Sequence, residues 1–354
     1  MKQLQAYIGV TVFAAIVMVL LVILGLDALS AIIDNLGDME GGYGFTEVLL
    51  YVLLTLPRKL TEYLPFAALV GCLAGLGSMA NNSELVVMRA AGVTTRRLIW
   101  MVMRPTLVLV MASMLISEFV APPADQYAEA RKALLQNGEE SFNLERGMWN
   151  HSGNDFMHFN VVQVGGVVNG VKIFSFKDDK TLSKVIVARR ATYQQDADKW
   201  MLENVRIDSF KDNKIERQRY PAYRWQTSLT PQMLEVVAID PEQLSITSLW
   251  RAAKYRIDEG LDARGFMLEF WRKSLAPLAV ASLVLIGISF IFGPLREVTM
   301  GYRIFTGVMV GIAFRTAQDL LGPASLVFNF SPIYSVLAPI MICVLIGALM
   351  LRKA

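Results

Sequence analysis

The stretch QLQAYIGVTVFAAIVMVLLVILGL, residues 3–26, carries no charged side chain over its 24 residues. A helix that crosses a bilayer needs about 20 mostly apolar residues, so this stretch predicts a first transmembrane helix. It is longer than the apolar region of a removable signal peptide, and it lacks the small-residue cleavage site of one. We therefore expect it to be retained as a membrane anchor.

The composition extends this prediction to the rest of the chain. Hydrophobic residues make up 54% of the 354 residues and charged residues 18%, compared with about 45–50% and about 25% in typical soluble domains. The net charge of +3 is small and scattered, which argues against nucleic-acid binding. Cys72 and Cys343 both lie in apolar runs, so we expect buried or lipid-facing thiols and no disulfide.

Further apolar runs predict six transmembrane helices in total. The five runs after the first lie at residues 63–83, 98–117, 274–295 and 304–321 and in the second half of 320–351. Lysine and arginine favour the cytoplasmic loops of membrane proteins. Arginines occur in the predicted loops 81–97 and 294–303 and at the C-terminus, whereas residues 27–47 hold five acidic residues and no basic one. This distribution predicts that both termini face the cytoplasm.

The charged middle of the chain, residues 122–265, is then predicted to lie outside. It contains strand-like segments rich in Val, Ile and aromatic residues, namely GVKIFSF (170–176), KVIVARRATY (184–193), KWMLENVRIDSF (199–210) and AYRWQTSL (222–229). The predicted fold class is an α-helical membrane protein with six transmembrane helices plus an inserted all-β, jelly-roll-like periplasmic domain. The predicted domains are residues 1–121 with the first three helices, 122–265 with the β domain, and 266–354 with the last three.

The second predicted helix raises a question of length. Residues 48–80 are largely apolar but carry a charged interruption at 58–62, and at about 1.5 Å per residue a continuous helix would exceed the bilayer thickness. Either the helix extends beyond the outer face of the membrane, or Pro57 and Pro65 kink it near the interface. Both alternatives place Arg58 near the outer headgroups.

No motif for catalysis is present in the sequence. The phosphate-binding pattern GxxxxGK[ST] is missing, and so are the HExxH and GxSxG patterns of hydrolases. The two histidines, His151 and His158, form too small a set to predict a metal site. We therefore expect neither an enzyme nor a cofactor, and any nucleotide hydrolysis would have to come from another protein.

The predicted loop NNSELVVMRAAGVTTRR, residues 81–97, has the features of a short helix. Ser83 is a potential N-cap, Gly92 a potential helix stop, and Thr94 a potential cap for the following helix. The segment is compatible with a solvated turn whose arginines orient the chain. It is also compatible with a docking element for a cytoplasmic partner, because an apolar flank with one charge suits insertion into a cleft.

Several strings of this sequence resemble the LptF/LptG family, the permease subunits of the lipopolysaccharide export transporter. They are AYIGVTVF (6–13), SELVVMRAAG (83–92), FVAPPADQ (119–126), SLTPQMLEVVAIDPEQLSI (228–246) and SFIFGPLREVTMGYRIFTG (289–307). The resemblance covers the whole chain. VVAIDPEQLSI and FGPLR are more similar to the LptG branch than to LptF, which remains the alternative. A membrane scaffold that anchors a β domain without transport is a second alternative.

The resemblance implies a set of partners. The chain would pair with an LptF-like permease on a dimer of an LptB-like ATPase in the inner membrane. Its β domain would pass lipopolysaccharide towards an LptC-like protein, and the remaining contacts would be with membrane lipid. Residues 83–92 would form the coupling helix, in which Glu84 seats in a groove of the ATPase. The residues expected beside it are Leu85, Met88 and Arg89.

The resemblance also implies a lipid cavity lined by the first and fifth transmembrane helices. Arg58 and Lys132 occupy positions expected to face lipid phosphates. Arg315 and Ile312, on the fifth helix, are predicted to contact lipopolysaccharide as well. Asp319 lies four residues after Arg315, so the two can pair on one helix face. The alternative for each basic residue is an ordinary interfacial anchor or a structural ion pair.

Two further features complete the sequence-based expectations. Family members carry lysines at the outer end of the first helix, but here residues 30–44, SAIIDNLGDMEGGYG, are acidic and have no basic residue. Small residues four apart allow close helix approach within lipid. The spacing of Gly71 with Gly75 is therefore predicted to allow helix packing. For Gly307 with Gly311 we expect packing at a gate that faces the partner permease, with packing inside the subunit as the alternative.

Overall fold

The structure is a computed structural model that describes residues 2–39, 42–137, 148–152, 154–163, 166–177, 181–194, 199–211, 214–227, 230, 234, 240–258, 260–293 and 298–353. The helices are α1 (Lys2–Leu36), α2 (Phe45–Asn81), α3 (Glu84–Ala90), α4 (Thr95–Phe119), α5 (Ala121–Asn137), α6 (Ile246–Asp258), α7 (Arg264–Ser274), α8 (Ala276–Phe292), α9 (Met300–Val327) and α10 (Pro332–Lys353). The strands are β1 (Met148–Ser152), β2 (Asp155–Gln163), β3 (Val167–Phe176), β4 (Leu182–Gln194), β5 (Lys199–Lys211) and β6 (Lys214–Trp225).

The chain forms two compact units. The helical unit comprises Met1–Ala31, Thr55–Pro122 and Ser245–Ala354. The β-containing unit comprises Ile32–Leu54 and Pro123–Leu244. The first unit holds the coupling segment predicted at 83–92, and the second holds all six described strands.

Five described helices, namely α1, α2, α4, α9 and α10, are long and apolar enough to cross a membrane. A sixth candidate span is formed by α7 and α8 together, which meet at a 50° bend. Pro277 lies in the first turn of α8 and has no N–H to continue the hydrogen bonding of α7, which accounts for the break. Six candidate spans agree with the prediction of a multi-pass helical membrane protein, and the fourth of them is bent.

The second span is continuous through both of its prolines. Helix α2 has 37 residues, which corresponds to about 55 Å, whereas the hydrocarbon core of a bilayer is about 30 Å thick. Of its most apolar stretch, 67% is buried inside the protein, compared with 17–33% for the other four single-helix spans. Helix α2 is therefore the central helix on which its neighbours pack.

The inserted all-β domain is confirmed, although the described strands are not connected as a jelly roll. They form one antiparallel sheet in the order β1-β2-β3-β4-β5-β6. Strands that are consecutive in sequence pair directly with each other, as Lys211 of β5 with Lys214 of β6. A jelly roll needs connections that cross between sheets, and the six described strands make a meander instead. Its core contains Met157, Phe159, Ile173, Trp200 and Leu202.

Glycines set the distance between α2 and two of its neighbours. A Cβ on Gly71 would lie 2.5 Å from the Cα of Ile16, and a Cβ on Gly75 would lie 3.3 Å from the Cα of Val12. The backbones of α1 and α2 are therefore in direct contact here, which is the packing that the spacing of these two glycines predicts.

The other glycine pair, Gly307 with Gly311, also packs inside the subunit. A Cβ on Gly307 would overlap the side chain of Leu73, and a Cβ on Gly311 would overlap that of Phe66. Both glycines are buried against α2 of the same chain. Packing inside the subunit, the alternative given for this pair, is therefore present, because α9 lies along α2 and has no room for a side chain at these positions. A role of the pair at a gate stays a prediction.

Candidate functional site

Helix α3 is a short helix held at both ends by backbone geometry. Ser83 precedes it, as predicted, but its φ of 60° is left-handed and its hydroxyl makes no capping hydrogen bond. The C-terminal end of α3 agrees with the predicted stop at Gly92. Gly92 has a φ of 84°, its N–H donates to the Arg89 carbonyl, and the N–H of Val93 donates to the Met88 carbonyl. These two bonds form a Schellman motif, which requires the left-handed conformation that glycine adopts readily.

One face of α3 is packed against the helical unit. Leu85 is 4% exposed and belongs to the same apolar core as Val93 and Leu98, and Met88 packs against that core. The guanidinium of Arg89 lies over the ring of Phe292, 5.7 Å from its centroid. These contacts make Leu85 and Met88 anchors of the segment, and they leave neither side chain on its outer face.

The outer face of α3 consists of other apolar residues. Val86 is 55% exposed and Val87 is 65% exposed, and Ala90 and Ala91 are exposed as well. We call these four residues the α3 tip. Leu85 and Met88, for which the resemblance implies contact with a partner, thus lie on the packed face, and the tip presents Val86 and Val87. Their contact with a partner stays a prediction. Four consecutive apolar residues at 85–88 show no helical period, so the sequence could not reveal which pair faces inwards.

Glu84 lies at the start of α3 beside the tip. Its carboxylate is half-buried and accepts a hydrogen bond of 3.0 Å from the hydroxyl of Tyr7 on α1. The proposed coupling residue is therefore linked to the first transmembrane helix in this structure. Any partner that binds the Glu84 carboxylate acts close to both α1 and α3.

A charged cluster joins the middle of α2 to α9. The Arg315 guanidinium donates to Glu62 at 2.6 Å and to Asp319 at 2.9 Å. Arg58 forms an ion pair with the same Glu62 at 3.7 Å. The predicted Arg315–Asp319 pair is thus present, and Glu62 brings the two predicted phosphate-binding arginines together. Ile312, one turn before Arg315, is 50% exposed.

A second ion pair lies close to this cluster along α2. Lys59 pairs with Asp27 of α1 at 3.8 Å, and the Tyr63 hydroxyl donates to the same carboxylate at 2.5 Å. The sequence did not assign Asp27 to Lys59 or Glu62 to Arg315, because the partners of each pair are far apart in the chain. Glu62 lies four residues after Arg58 on α2, and this pair was missed although helical spacing predicts it.

Lys132 lies in the β-containing unit, within a closed set of partners. Its Nζ donates to Asn35 at 2.7 Å and to Asp38 at 2.8 Å, and lies over the rings of Tyr43 and Tyr51 at 5.8 and 5.0 Å. The side chain is 16% exposed. Burial, with Asp38 nearby, raises the pKa of Tyr43 to about 12, so this phenol stays neutral beside the ammonium group.

The acidic loop that departs from the family pattern now has a structural role. Asp38 binds Lys132, and Glu47 at the start of α2 accepts two hydrogen bonds from Arg131 at 2.5 and 2.7 Å. These hydrogen bonds hold the pKa of Arg131 above its usual value. The carboxylates of this region therefore neutralise the basic residues of α5 within the β-containing unit.

The described part of the chain shows no group of three or more His, Cys, Asp and Glu side chains that could hold a metal ion. Its two cysteines are both buried and free. The two arrangements with functional potential are thus the α3 tip with Glu84 and the Arg58–Glu62–Arg315–Asp319 cluster. The first is an exposed apolar surface beside a carboxylate, and the second is a set of two arginines and two carboxylates in ion pairs.

Comparison with known proteins agrees with this architecture. Residues 6–353 match the family described as lipopolysaccharide export system permease LptF/LptG. The chain is 36% identical over 338 residues to the lipopolysaccharide export system permease protein LptG of Escherichia coli (strain K12), which covers 95% of this chain and 94% of that protein. It is 33% identical over 354 residues to LptG of Haemophilus influenzae, which covers 99% of both chains. The chain therefore belongs to the LptF/LptG family of lipopolysaccharide export system permeases, and it resembles the LptG branch.

Proposed function

We propose that this chain is the LptG-type, non-hydrolytic membrane subunit of an ABC transporter that extracts lipopolysaccharide from the inner membrane. A separate LptB-like ATPase dimer supplies the energy, and an LptF-like permease completes the cavity. The observation that supports this most directly is the α3 tip, in which two exposed valines stand on a helix whose other face is anchored in the transmembrane core.

The anchoring of α3 explains how a push at the tip could reach the membrane. Leu85, Met88 and Val93 pack into the core formed by the transmembrane helices. A loop of this length without buried side chains would deform when pressed, whereas α3 transfers the displacement to α2 and α4. Val86 and Val87 would enter an apolar groove of the ATPase, with Glu84 and Arg89 placed to make polar contacts at its edge.

For the substrate we propose that Arg58 and Arg315 bind lipid phosphates. The four charges of their cluster, two arginines and two carboxylates, sum to zero. A phosphate would therefore compete with Glu62 and Asp319 for the two guanidinium groups, and replacing either carboxylate exchanges one charge-assisted hydrogen bond for another. This exchange allows binding and release without a large change in free energy. Ile312 would contact the acyl chains below the phosphates.

Lys132 enters the proposal under a stricter condition. A lipid phosphate would have to replace Asp38 as the acceptor of the Lys132 ammonium group. The same cluster also contains Asn35 and two tyrosine rings. We place the β-containing unit in the periplasm, following the distribution of arginines in the short loops. There it would receive lipopolysaccharide and pass it to an LptC-like protein of a bridge to the outer membrane.

Arg315→Ala tests the lipid site. With a photoreactive amino acid at Ile312, we expect Arg315→Ala to lower the yield of lipopolysaccharide crosslinks about tenfold, because a charge-assisted hydrogen bond contributes about 1.5–3 kcal/mol. Glu62→Gln should raise the yield, since it releases Arg315 and Arg58 from a competing carboxylate. The readout is the crosslinked fraction in inverted membranes, resolved by electrophoresis.

Arg104→Ala is the matched control, because Arg104 is exposed on α4 and stacks on Trp100 away from the cluster. Equal crosslink yields for Arg315→Ala and Arg104→Ala would remove Arg315 from the lipid site. Lys132→Ala is measured in parallel, and an unchanged yield would assign Lys132 to the structural cluster alone.

A further inference from the structure

One side of α9 forms a continuous seam with α2. The seam residues recur every four positions and so share one helix face, and they are Arg303, Gly307, Gly311 and Arg315. At the two glycines the helices approach so closely that a Cβ would overlap Leu73 or Phe66. The two ends of the seam carry polar contacts, from Arg315 to Glu62 and from Arg303 to the last turn of α2.

Arg303 is buried although the sequence places it in a basic loop. It lies in the first turn of α9, is 2% exposed, and donates through Nη1 to the Gly77 carbonyl and to Asn81 Oδ1, both at 3.0 Å. The last carbonyls of a helix carry partial negative charge, so a guanidinium at this end of α2 is favourably placed. A buried charge within a transmembrane protein faces a protein interior or a cavity and is costly to retain.

The Arg303 contact lies directly beside the coupling segment. Asn81 is the last residue of α2, and only Asn82 and Ser83 separate it from α3. The N–H of Asn82 donates to the Ser78 carbonyl at 3.1 Å, and that of Ser83 donates to the Ala80 carbonyl at 3.0 Å. These bonds keep the turn tight, so the end of α2 follows any displacement of α3.

We propose that Arg303 is the positioning residue that transmits movement of α3 to α9. It fixes the first turn of α9 to the end of α2, and the two glycines keep the helices in contact along the rest of the seam. When α3 is pushed, α2 and α9 move as one body rather than sliding past each other. This inference rests on the proposed function, in which an ATPase acts on the α3 tip.

The bond geometry distinguishes this role from that of an orienting charge. An arginine that only keeps its end of a helix on the cytoplasmic side would contact water or lipid headgroups. The Arg303 side chain is buried and contacts the end of α2 instead. Lysine retains the charge and can also donate to two acceptors from one nitrogen, but its compact ammonium group lacks the planar guanidinium that fills this site. Asn81 is exposed, so Asn81→Ala removes one acceptor of Arg303 without disturbing the core.

The test uses the complete complex purified from membranes that contain lipopolysaccharide, with wild type, Arg303→Gln, Arg303→Lys and Asn81→Ala. The measured quantities are the amount of ATPase bound, the rate of ATP hydrolysis, and the lipopolysaccharide released per ATP. In Arg303→Gln we expect ATPase binding and hydrolysis to stay near wild type while lipid released per ATP falls about fivefold or more. Lipid released per ATP should fall less in Arg303→Lys than in Arg303→Gln, and it should also fall in Asn81→Ala.

Arg352→Gln is the matched control, since it removes an exposed arginine at the far end of α10. Lipid release per ATP equal to wild type in Arg303→Gln would overturn the inference. A parallel loss of ATPase binding would overturn it as well, because Arg303 would then serve assembly rather than transmission. Should Arg303→Gln fail to fold, Asn81→Ala decides by the same criteria. A wild-type complex that binds no ATPase would instead overturn the proposed function itself.

Discussion

Val87→Asp is expected to weaken binding of the ATPase about 30-fold or more. Val87 is 65% exposed at the α3 tip, so an aspartate there leaves the isolated subunit stable. In the complex the same carboxylate would be buried in an apolar groove without a partner. Leaving one charge unpaired in an interface costs about 2 kcal/mol or more, which corresponds to this loss of affinity. The measurement is the dissociation constant of the purified ATPase for the detergent-solubilised permease pair.

Two variants separate docking from anchoring. Val87→Thr keeps the shape of the side chain and should bind nearly as well as wild type. Leu85→Ala removes a buried anchor, so we expect a lower melting temperature together with weaker binding. The assignment of the tip fails if Val87→Asp binds the ATPase like wild type while Leu85→Ala does not, because the docking face would then lie on the other side of α3.

Gly71→Ala is expected to lower the melting temperature of the protein by about 1–4 °C. A Cβ here meets the backbone of Ile16 at 2.5 Å, and a backbone atom cannot move aside as the end of a side chain does. Helix α1 must therefore shift away from α2, and overpacking of this kind costs about 1–3 kcal/mol. Size-exclusion chromatography after heating, with detection of the folded fraction, measures the effect.

Gly25→Ala provides the matched control on α1, because no atom lies within 4 Å of a Cβ at that position. Alanine has a higher helix propensity than glycine by about 1 kcal/mol, so this variant should melt at or slightly above the wild-type temperature. A Gly71→Ala protein that melts no lower than Gly25→Ala would contradict the close contact of α1 with α2.

Patterns along the chain predicted most of the spans and part of the sheet. Uninterrupted apolar runs predict the spans, as at residues 3–26, and clusters of β-branched and aromatic residues predict strands β3 to β5 and the end of β6. Strands β1 and β2 were missed, since His151, Asn154 and His158 interrupt the alternation on which strand prediction depends. The bend between α7 and α8 was missed as well, because a proline near one end of an apolar run can begin a new helix, bend a continuous one or leave it straight.

The candidate site was predictable only where its partners are close in sequence. Arg315 and Asp319 are four apart on one helix, and the helix stop at Gly92 depends on local sequence, so both were expected. The contacts of Glu62 with Arg315 and of Asp38 with Lys132 were not assigned, because they form through tertiary packing. The Arg58–Glu62 pair has helical spacing and was missed. The inward face of α3 and the direction of Gly307 were also decided by packing, which an apolar run without a helical period does not reveal.

The family assignment was predictable from the sequence, whereas the roles of single residues were not. The strings that carry the resemblance are spread from residue 6 to residue 307, and the match extends over 6–353. The preference for LptG over LptF is confirmed by relatives of that branch at 33–36% identity. The roles of single residues do not follow from identity at this level, and they rest on the contacts described for each of them.

The most direct test of the central claim is ATP-dependent release of lipopolysaccharide from proteoliposomes that contain the complex purified with this chain from its own membranes. We expect release with ATP, no release with a non-hydrolysable analogue, and loss of release in Glu84→Ala. Tyr7→Phe should retain release, because it removes the hydrogen bond to Glu84 without removing the carboxylate that the ATPase would bind. Release that is independent of ATP, or full activity of Glu84→Ala, would contradict a permease driven by a separate ATPase through α3.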